Sequence, residues 1–256
     1  MFSPRIIPVL LCKRNRLVKS EKFKNYTYIG DPINAVKIFN ELKVDELVIL
    51  DIEASYNKKI ISLELVKEVG EEANMPFSIG GGINNIFQIE ERLKIGAEKV
   101  ILNTAAFNDI NFIFESVKNF GSSTISVCVD IKKDLFGRYR VYSHSNSRYH
   151  KRNYFEYIKD LQDAGVGELI IQSVDRDGTM IGYDYDLYKT ICEEIKVPII
   201  ALGGAESIEN IKSMWDRTSI NSFAAASLFI YFGKQKSVLI NYPIFDRKSF
   251  YKKFDE

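Results

Sequence analysis

Short runs of aliphatic and β-branched residues alternate along this chain with longer segments in which apolar residues return every three or four positions. The runs are 6-IIPVLL-11, 45-DELVILDI-52, 76-PFSIGG-81, 99-KVILN-103, 124-TISVCVDI-131, 167-GELIIQSV-174, 198-PIIALGG-204 and 222-SFAAAS-227. Near-continuous apolarity fits strands buried on both faces, and strands alternating with helices pair in parallel. The first helix is marked at its start by Asp31 as N-cap and Pro32 in its first turn, with Ala35, Val36, Phe39 and Leu42 at helical spacing. Eight such units in 256 residues is the count of an α/β fold of the (β/α)8 TIM-barrel type, spanning 1–256 as a single domain with its site at the C-terminal ends of the strands. An open doubly wound sheet is the alternative.

The pattern repeats. Placing 75-MPFSIGGGINNIFQIE-90 over 197-VPIIALGGAESIENIK-212 aligns Pro76 with Pro198, Gly81 with Gly203, Gly82 with Gly204 and Ile89 with Ile211, a constant offset of 122 (203 minus 81). The same offset pairs 46-ELVI-49 with 168-ELII-171 and 103-NTAAF-107 with 225-AASLF-229. The barrel is therefore read as two similar half-barrels, about 1–120 and 121–256, of four units each.

Composition narrows the setting. With Lys+Arg 35 against Asp+Glu 34 the net charge is +1, so neither a nucleic acid nor a membrane is implied as partner, and any affinity for anions is local. Cys12, Cys128 and Cys192 have no paired spacing, and the first residues lack a signal peptide's apolar block, which together place the chain in a reducing cytoplasm. His144 and His150 lack the companions of a zinc site and read as surface loop residues, so neither a metal nor a cofactor is expected.

The repeat also locates candidate chemistry. In each half a strand runs into a Gly-Gly turn and a helix, and the next strand ends in Asn103-Thr104 or Ala226-Ser227. Glycines admit close approach to a ligand, and amides at a helix start bind anions. Two cradles at one barrel mouth suit an elongated substrate with an anion at each end. Laying 10-LLCK-13 over 129-VDIK-132 puts Leu11 opposite Asp130. A strand-end aspartate between two cradles is a candidate general acid/base, or else a cap or ion-pair partner. The segment 175-DRDGTMIGYD-184 is either a site loop or an Asp-Gly turn. At the opposite end Arg5, Glu46, Lys99 and Glu168 begin their strands; if they point inward, two cations and two anions close the barrel floor, as a gate or as a stabilising plug.

Taken together, RIIPVL, GDP, DELVILDI, GGGI, KVILNTAA, VDIKK, GELII, SVDRDGT, GYD, PIIALGGA and AAAS resemble the cyclase subunit of imidazole glycerol phosphate synthase, from about Arg5 to about Gly233. The resemblance implies a class I glutaminase docked on the barrel floor, ammonia passing a charged gate of Arg5, Glu46, Lys99 and Glu168, and Glu98 as an acidic contact to that partner. It implies one phosphate site at Gly82, Asn103 and Thr104 and another at Asp177, Gly178, Gly204 and Ser227, with catalytic roles for Asp130 and for Lys19 of a mobile first loop. The family's other catalytic aspartate falls on Leu11, and Asn15 and Ser20 replace glycines of that loop. The loop 144-HSNSRYHKRN-153 lacks the family's glycines, and 237-SVLINYP-243 is extended in character where the family has a final helix.

Leu11 together with that ending is similar to a paralogous branch associated with a third enzyme that converts an acetamido group of a surface sugar to an acetamidino group. There a nucleotide-sugar diphosphate could occupy the cradles. The reading is thus a lyase or amidotransferase-type synthase subunit that channels ammonia to a sugar acceptor. A true cyclase of histidine biosynthesis and a non-catalytic scaffold that activates a glutaminase are the alternatives.

Overall fold

The computed structural model describes residues 3–233 and 235–242. Eight barrel strands run Arg5–Lys13 (β1), Leu47–Asp51 (β2), Phe77–Gly80 (β3), Lys99–Leu102 (β4), Ile125–Lys133 (β5), Glu168–Ser173 (β6), Ile199–Leu202 (β7) and Ser222–Ala225 (β8). Each pairs in parallel with its neighbour, and β8 pairs with β1 from Arg5↔Ser222 to Pro8↔Ala225. The β5 and β6 pairing, Glu168↔Ser126 to Ser173↔Ile131, joins the two halves and completes the closed sheet. The open-sheet alternative is thereby excluded.

Helices cover the outside: Pro32–Glu41 (α1), Leu63–Glu72 (α2), Ile86–Lys94 (α3), Ile110–Phe120 (α4), Tyr154–Asp163 (α5), Tyr185–Cys192 (α6) and Ile208–Arg217 (α7). Asp31 caps α1 by accepting from the Asn34 N–H at 2.9 Å, and Pro32 occupies its first turn. Asn85 caps α3 and Ser207 caps α7, so the 122-residue repeat extends to the capping side chains.

Alternation along each strand makes two cores. Ile6 and Leu10 of β1 pack outward with Phe39, Leu47 and Val66 beneath the helices. Ile7, Val9 and Leu11 point inward with Val48, Ile101, Cys128, Ile170, Ile200 and Ala224. Fully buried Tyr188 on α6 ties the layers together. Its hydroxyl lies 2.9 Å from the Ile171 carbonyl and 2.8 Å from that of Leu202, and accepts from the Leu202 N–H at 3.1 Å.

Three segments differ from a plain eight-unit barrel. The segment expected as a mobile first loop is a β-hairpin, Arg16–Glu21 with Lys24–Gly30, laid antiparallel on the end of β1. Its turns place Arg14 and Asn15, then Lys22 and Phe23, at positive φ. Asparagine tolerates that region, so Asn15 in a glycine position is compatible with a tight hairpin. The loop after β5 also folds back, as Tyr139–Ser143 and Arg148–Tyr149. After β8 a single turn Ser227–Ile230 leads into a small hairpin, Tyr231–Phe232 with Ser237–Val238, and an irregular run to Tyr242. Tyr242 is buried, reaching the Ile6 carbonyl at 3.3 Å and packing 5.2 Å from the Phe229 ring. Of the extended end expected over Ser237–Pro243, Ser237–Val238 is strand and the residues from there to Tyr242 are irregular. Pro243, and residues 1–2 and 244–256 of the assigned domain, lie outside the described residues. Among the described residues no helix is long and apolar enough to cross a membrane.

Removing the Tyr188 hydroxyl leaves buried carbonyls with one partner fewer. Tyr188→Phe should lower the unfolding free energy by about 1–3 kcal/mol in urea denaturation, without changing m; an unchanged midpoint would remove this contact from the account of the fold.

Candidate functional site

At the N-terminal end of the barrel four charges from four strands close a ring. The Arg5 guanidinium pairs with Glu46 at 3.0 Å and with Glu168, and the Lys99 ammonium pairs with Glu168 at 2.9 Å and with Glu46 at 3.5 Å. Ser222 accepts from Arg5 at 3.0 Å, and Ser78 donates to Glu46 at 3.1 Å, so the ring rests on hydroxyls of β3 and β8. Burial pushes the Glu168 carboxyl up, but the hydrogen bond from Lys99 and the charges of Arg5 and Lys99 more than reverse it, leaving it below the usual value. Glu98, one residue before Lys99, is exposed on the same face.

Above the ring the barrel axis is filled by Ile7, Val9, Val48, Ile170, Ile200 and Ala224. It opens at the C-terminal end into a cavity of about 580 Å³. Asp130 on β5 forms its floor with Leu11, Leu50, Asn103, Cys128 and Gln172. The Asn103 amide donates to Asp130 at 3.1 Å, and the Cys128 thiol lies 3.7 Å from its other oxygen. Burial pushes the Asp130 carboxyl up to about 7, against the opposing hydrogen bonds from Asn103 and Cys128. Leu11, only 8% exposed, faces the same space and offers no second acid. Leu11 and Leu50 lie beside Asn103, Asp130 and Gln172, and Asp51 at the end of β2 lines the same cavity.

Gly82, Asn103 and Thr104 line this cavity together, and Thr104 Oγ1 lies 3.1 Å from Ser145 Oγ of the β5 hairpin. Asp177, Gly178, Gly204 and Ser227 also come together, around a second space of only about 10 Å³. Lys19 fills that cradle: it is 2% exposed, its ammonium 3.4 Å from Asp177 and 2.6 Å from the Ser20 carbonyl. Burial pulls the Lys19 ammonium down and the Asp177 carboxyl up, each partly restored by the other. Lys19 and Asp130 thus do not share a cavity lining.

These glycines are required by packing within the protein itself. A Cβ on Gly82 (φ +70°) would stand 1.9 Å from the Lys59 carbonyl, and one on Gly204 (φ +97°) 2.4 Å from that of Gly182. Each turn must be glycine because a neighbouring loop of its own half-barrel crosses it. The Asp-rich loop likewise spends its carboxylates internally: Asp175 accepts from the Lys133 N–H at 2.8 Å, and Asp184 from the Tyr139 hydroxyl at 2.9 Å.

Several cavity residues carry no motif. Cys128 is signalled only by facing inward two residues before Asp130 on β5, and Gln172 by its register opposite Asp130 on β6. Asp51, at the end of β2, accepts from the Glu53 and Ala54 amides, and burial raises its pKa. Phe23, Tyr26 and Tyr56 gather at the mouth with His144, whose ring meets Phe23 edge-on at 5.6 Å. His144 is therefore a cavity residue rather than a bystander. His150 is wedged between Phe107 and Tyr157, at 5.0 and 4.7 Å, because the β5 hairpin folds back onto α5. Among the described residues no cluster of three or more His, Cys, Asp or Glu could hold a metal ion.

The family described as histidine biosynthesis protein matches residues 5–236. The chain is 43% identical over 243 residues to a Pseudomonas aeruginosa protein with the provisional name imidazole glycerol phosphate synthase subunit hisF2, covering 95% of this chain and 97% of the relative. A Leptospira borgpetersenii protein, provisionally named subunit HisF of the same synthase, is 42% identical over 244 residues, covering 95% and 96%. The imidazole glycerol phosphate synthase subunit HisF of Thermococcus onnurineus is 40% identical over 232 residues, covering 90% and 91%.

The Asp130 environment makes stability depend on pH. Its folded carboxyl titrates near 7 against 3.8 for the reference group, so between these values the folded state holds the extra proton and its stability falls as pH rises. Asp130→Asn should raise the unfolding free energy by on the order of 1–3 kcal/mol at pH 8 and leave it unchanged near pH 4. Urea titrations at the two pH values check this, and an equal gain at both would refute it.

Proposed function

The chain belongs to the histidine biosynthesis protein family and is of the imidazole glycerol phosphate synthase HisF type, and from that premise we propose that it is the ammonia-channelling subunit of a glutamine amidotransferase. On this reading a class I glutaminase docks on the barrel floor beside Glu98, and ammonia enters through the ring of Arg5, Glu46, Lys99 and Glu168. The acceptor is a phosphorylated or nucleotide-linked surface sugar whose acetamido group becomes an acetamidino group, with a third enzyme supplying chemistry that the barrel lacks. The observation that carries the proposal is a complete four-charge ring at one barrel end with Leu11, rather than an acid, lining the cavity beside Asp130 at the other.

Proton transfer by two positioned groups demands two groups that titrate. An acid/base residue typically contributes about 100-fold to 10,000-fold, and a leucine contributes none of it. Asp130, poised near neutrality, can still accept or give one proton. It is the candidate catalytic residue, with Lys19 as a second group that must first leave Asp177. Gly82, Asn103 and Thr104 are the anion-binding set open to the cavity. The apolar residues between ring and cavity give a small neutral molecule such as ammonia no partner at which to be protonated.

Three outcomes separate this reading from its rivals. With its purified glutaminase and amide-¹⁵N glutamine, the chain should pass label to an acetamido-sugar acceptor, and release of all label to bulk solvent would refute delivery. In a strain lacking the histidine-pathway cyclase, the wild-type gene should fail to restore growth. Restoration by it would establish the cyclase reading, whereas restoration by Leu11→Asp alone would support the proposal. Finally, Asp130→Asn should reduce acceptor amidination at least 100-fold; glutaminase stimulation without any effect of this variant on amidination would leave only a scaffold.

A further inference from the structure

We infer that the mouth face of the barrel docks on an anionic lipid surface, with Leu135 and Phe136 at the tip of the β5 hairpin entering the interface and Lys132 and Arg140 meeting the headgroups. Such docking goes beyond ammonia delivery and needs neither the glutaminase nor the sugar acceptor.

Uncovered apolar side chains are unevenly placed on this barrel. Among the described residues twelve large apolar side chains are exposed. Eleven of them stand in the segments that leave the C-terminal ends of the strands, or in the first two residues of the helices those segments enter. Phe114, within α4, is the exception, and none lies in a segment leading from a helix into a strand. In a (β/α)8 barrel this puts them on the face where the cavity opens. Tyr28, Phe136, Ile181 and Phe232 come from four different loops, so the apolar points are spread around the rim rather than gathered in one patch. A folded partner concentrates its contact energy in a central, well-packed cluster. Separate tips would each need a matching pocket there, whereas a fluid lipid interface takes each one independently.

Charge is uneven too. Residues 132–152 hold seven Lys and Arg against one Asp, a local charge of +6 in a chain of +1. Among the described residues the ion pairs of this hairpin are Arg138 with Asp134 and Arg152 with Asp160. Lys132 and Arg140 face one another directly across the strand pair, a like-charge arrangement that destabilises a sheet unless a counter-charge answers it. Each lies over a tyrosine instead: Lys132 is 4.5 Å from the Tyr142 ring and Arg140 5.9 Å from that of Tyr149, and Arg140 also donates to the His150 carbonyl. Burial pulls the His150 imidazole down and the charges of Arg152, Arg148 and Arg140 pull it further, the mark of a positive field without counter-charge. With cations over their rings, Tyr139, Tyr142 and Tyr149 are not open platforms for stacked bases, which argues against a nucleic acid.

The hairpin tip joins the two features. Leu135 is fully exposed and Phe136 is 82% exposed, in a turn that Asp134 fixes by accepting from the Phe136 and Arg138 N–H groups at 2.9 and 3.1 Å. Two apolar side chains on a fixed turn, with cations and half-buried tyrosines on the strands behind them, match the depth profile of a membrane surface. Acyl chains come first, then headgroups, with amphipathic rings at the boundary.

Co-sedimentation of the full chain with lipid vesicles tests this. Vesicles of equimolar phosphatidylserine and phosphatidylcholine should bind the chain about tenfold more tightly than phosphatidylcholine alone, and added salt should erase most of that difference. A cation near an anionic bilayer is worth about fivefold in affinity, so Lys132→Gln with Arg140→Gln should lose about 25-fold on the mixed vesicles and nothing on phosphatidylcholine. Leu135→Ser with Phe136→Ser should lose about tenfold on the mixed vesicles. Phe136→Trp, which keeps an apolar ring in the same turn, should retain binding and have its fluorescence quenched by brominated acyl chains. Absence of binding to the mixed vesicles, equal binding to both kinds, full binding by either double variant, or absence of quenching in Phe136→Trp would each overturn the inference. Binding to polyaspartate with none to vesicles would overturn it in favour of an acidic protein partner.

Discussion

A closed sheet has one interior, and alternate residues of all eight strands must share it. Nearly every property of this protein's site follows from that constraint. Because β5 pairs with β6 as β8 pairs with β1, Arg5, Glu46, Lys99 and Glu168 have no course but to meet at one end of the axis. Asp130, Leu11, Asn103 and Gln172 are brought together at the other by the same closure. Opposite charges crowded into a narrow space must pair or be neutralised. At the floor the numbers match, two cations to two anions. At the mouth the Asp130 carboxyl meets the Asn103 amide and the Cys128 thiol, and burial lifts it toward neutrality.

The internal duplication supplies two copies of almost everything that is backbone: the glycine turns, the carbonyls that cross them, the capping residues of α3 and α7, and the short helical segments Thr104–Asn108 after β4 and Ser227–Ile230 after β8. The side chains hung on this frame have diverged. One hairpin carries Lys19 into its cradle and the other brings serine and asparagine, while one strand ends in aspartate and its counterpart in leucine. Backbone symmetry with side-chain asymmetry is a direct route to a lopsided ligand site. It explains how two equivalent glycine turns can border one open space and one nearly filled one.

The same separation governs what is rigid. Glycines at Gly82 and Gly204 are demanded by carbonyls of neighbouring loops, so the turns are structural before they are functional. The ring at the floor and Tyr188 between the layers likewise fix strand ends and helix positions. Asp130 and the rings of Phe23, Tyr26 and Tyr56 face the open cavity instead.

Much of this was legible in the order of residues. Strand positions, the N-cap at Asp31, the half-barrel repeat, the gathering of four charges at one end and the placing of Leu11 opposite Asp130 all depend on periodicity and offset, which are properties of the chain read in one dimension. The conformation of the first loop was not legible. That 14–30 folds as a hairpin depends on Leu17 and Val18 pairing with Cys12 and Leu11 at the end of β1 and on what the barrel packs around them. Nor could spacing say that Lys19 would bury itself against Asp177, 158 residues away, or that His144, Phe23 and Tyr56 would share one cavity wall. The sequence alone determined which residues line up along the barrel axis, because alternation and closure follow from local pattern. Only the tertiary structure decided which cradle stays open, because that depends on the packing of two hairpins against loops remote in the chain.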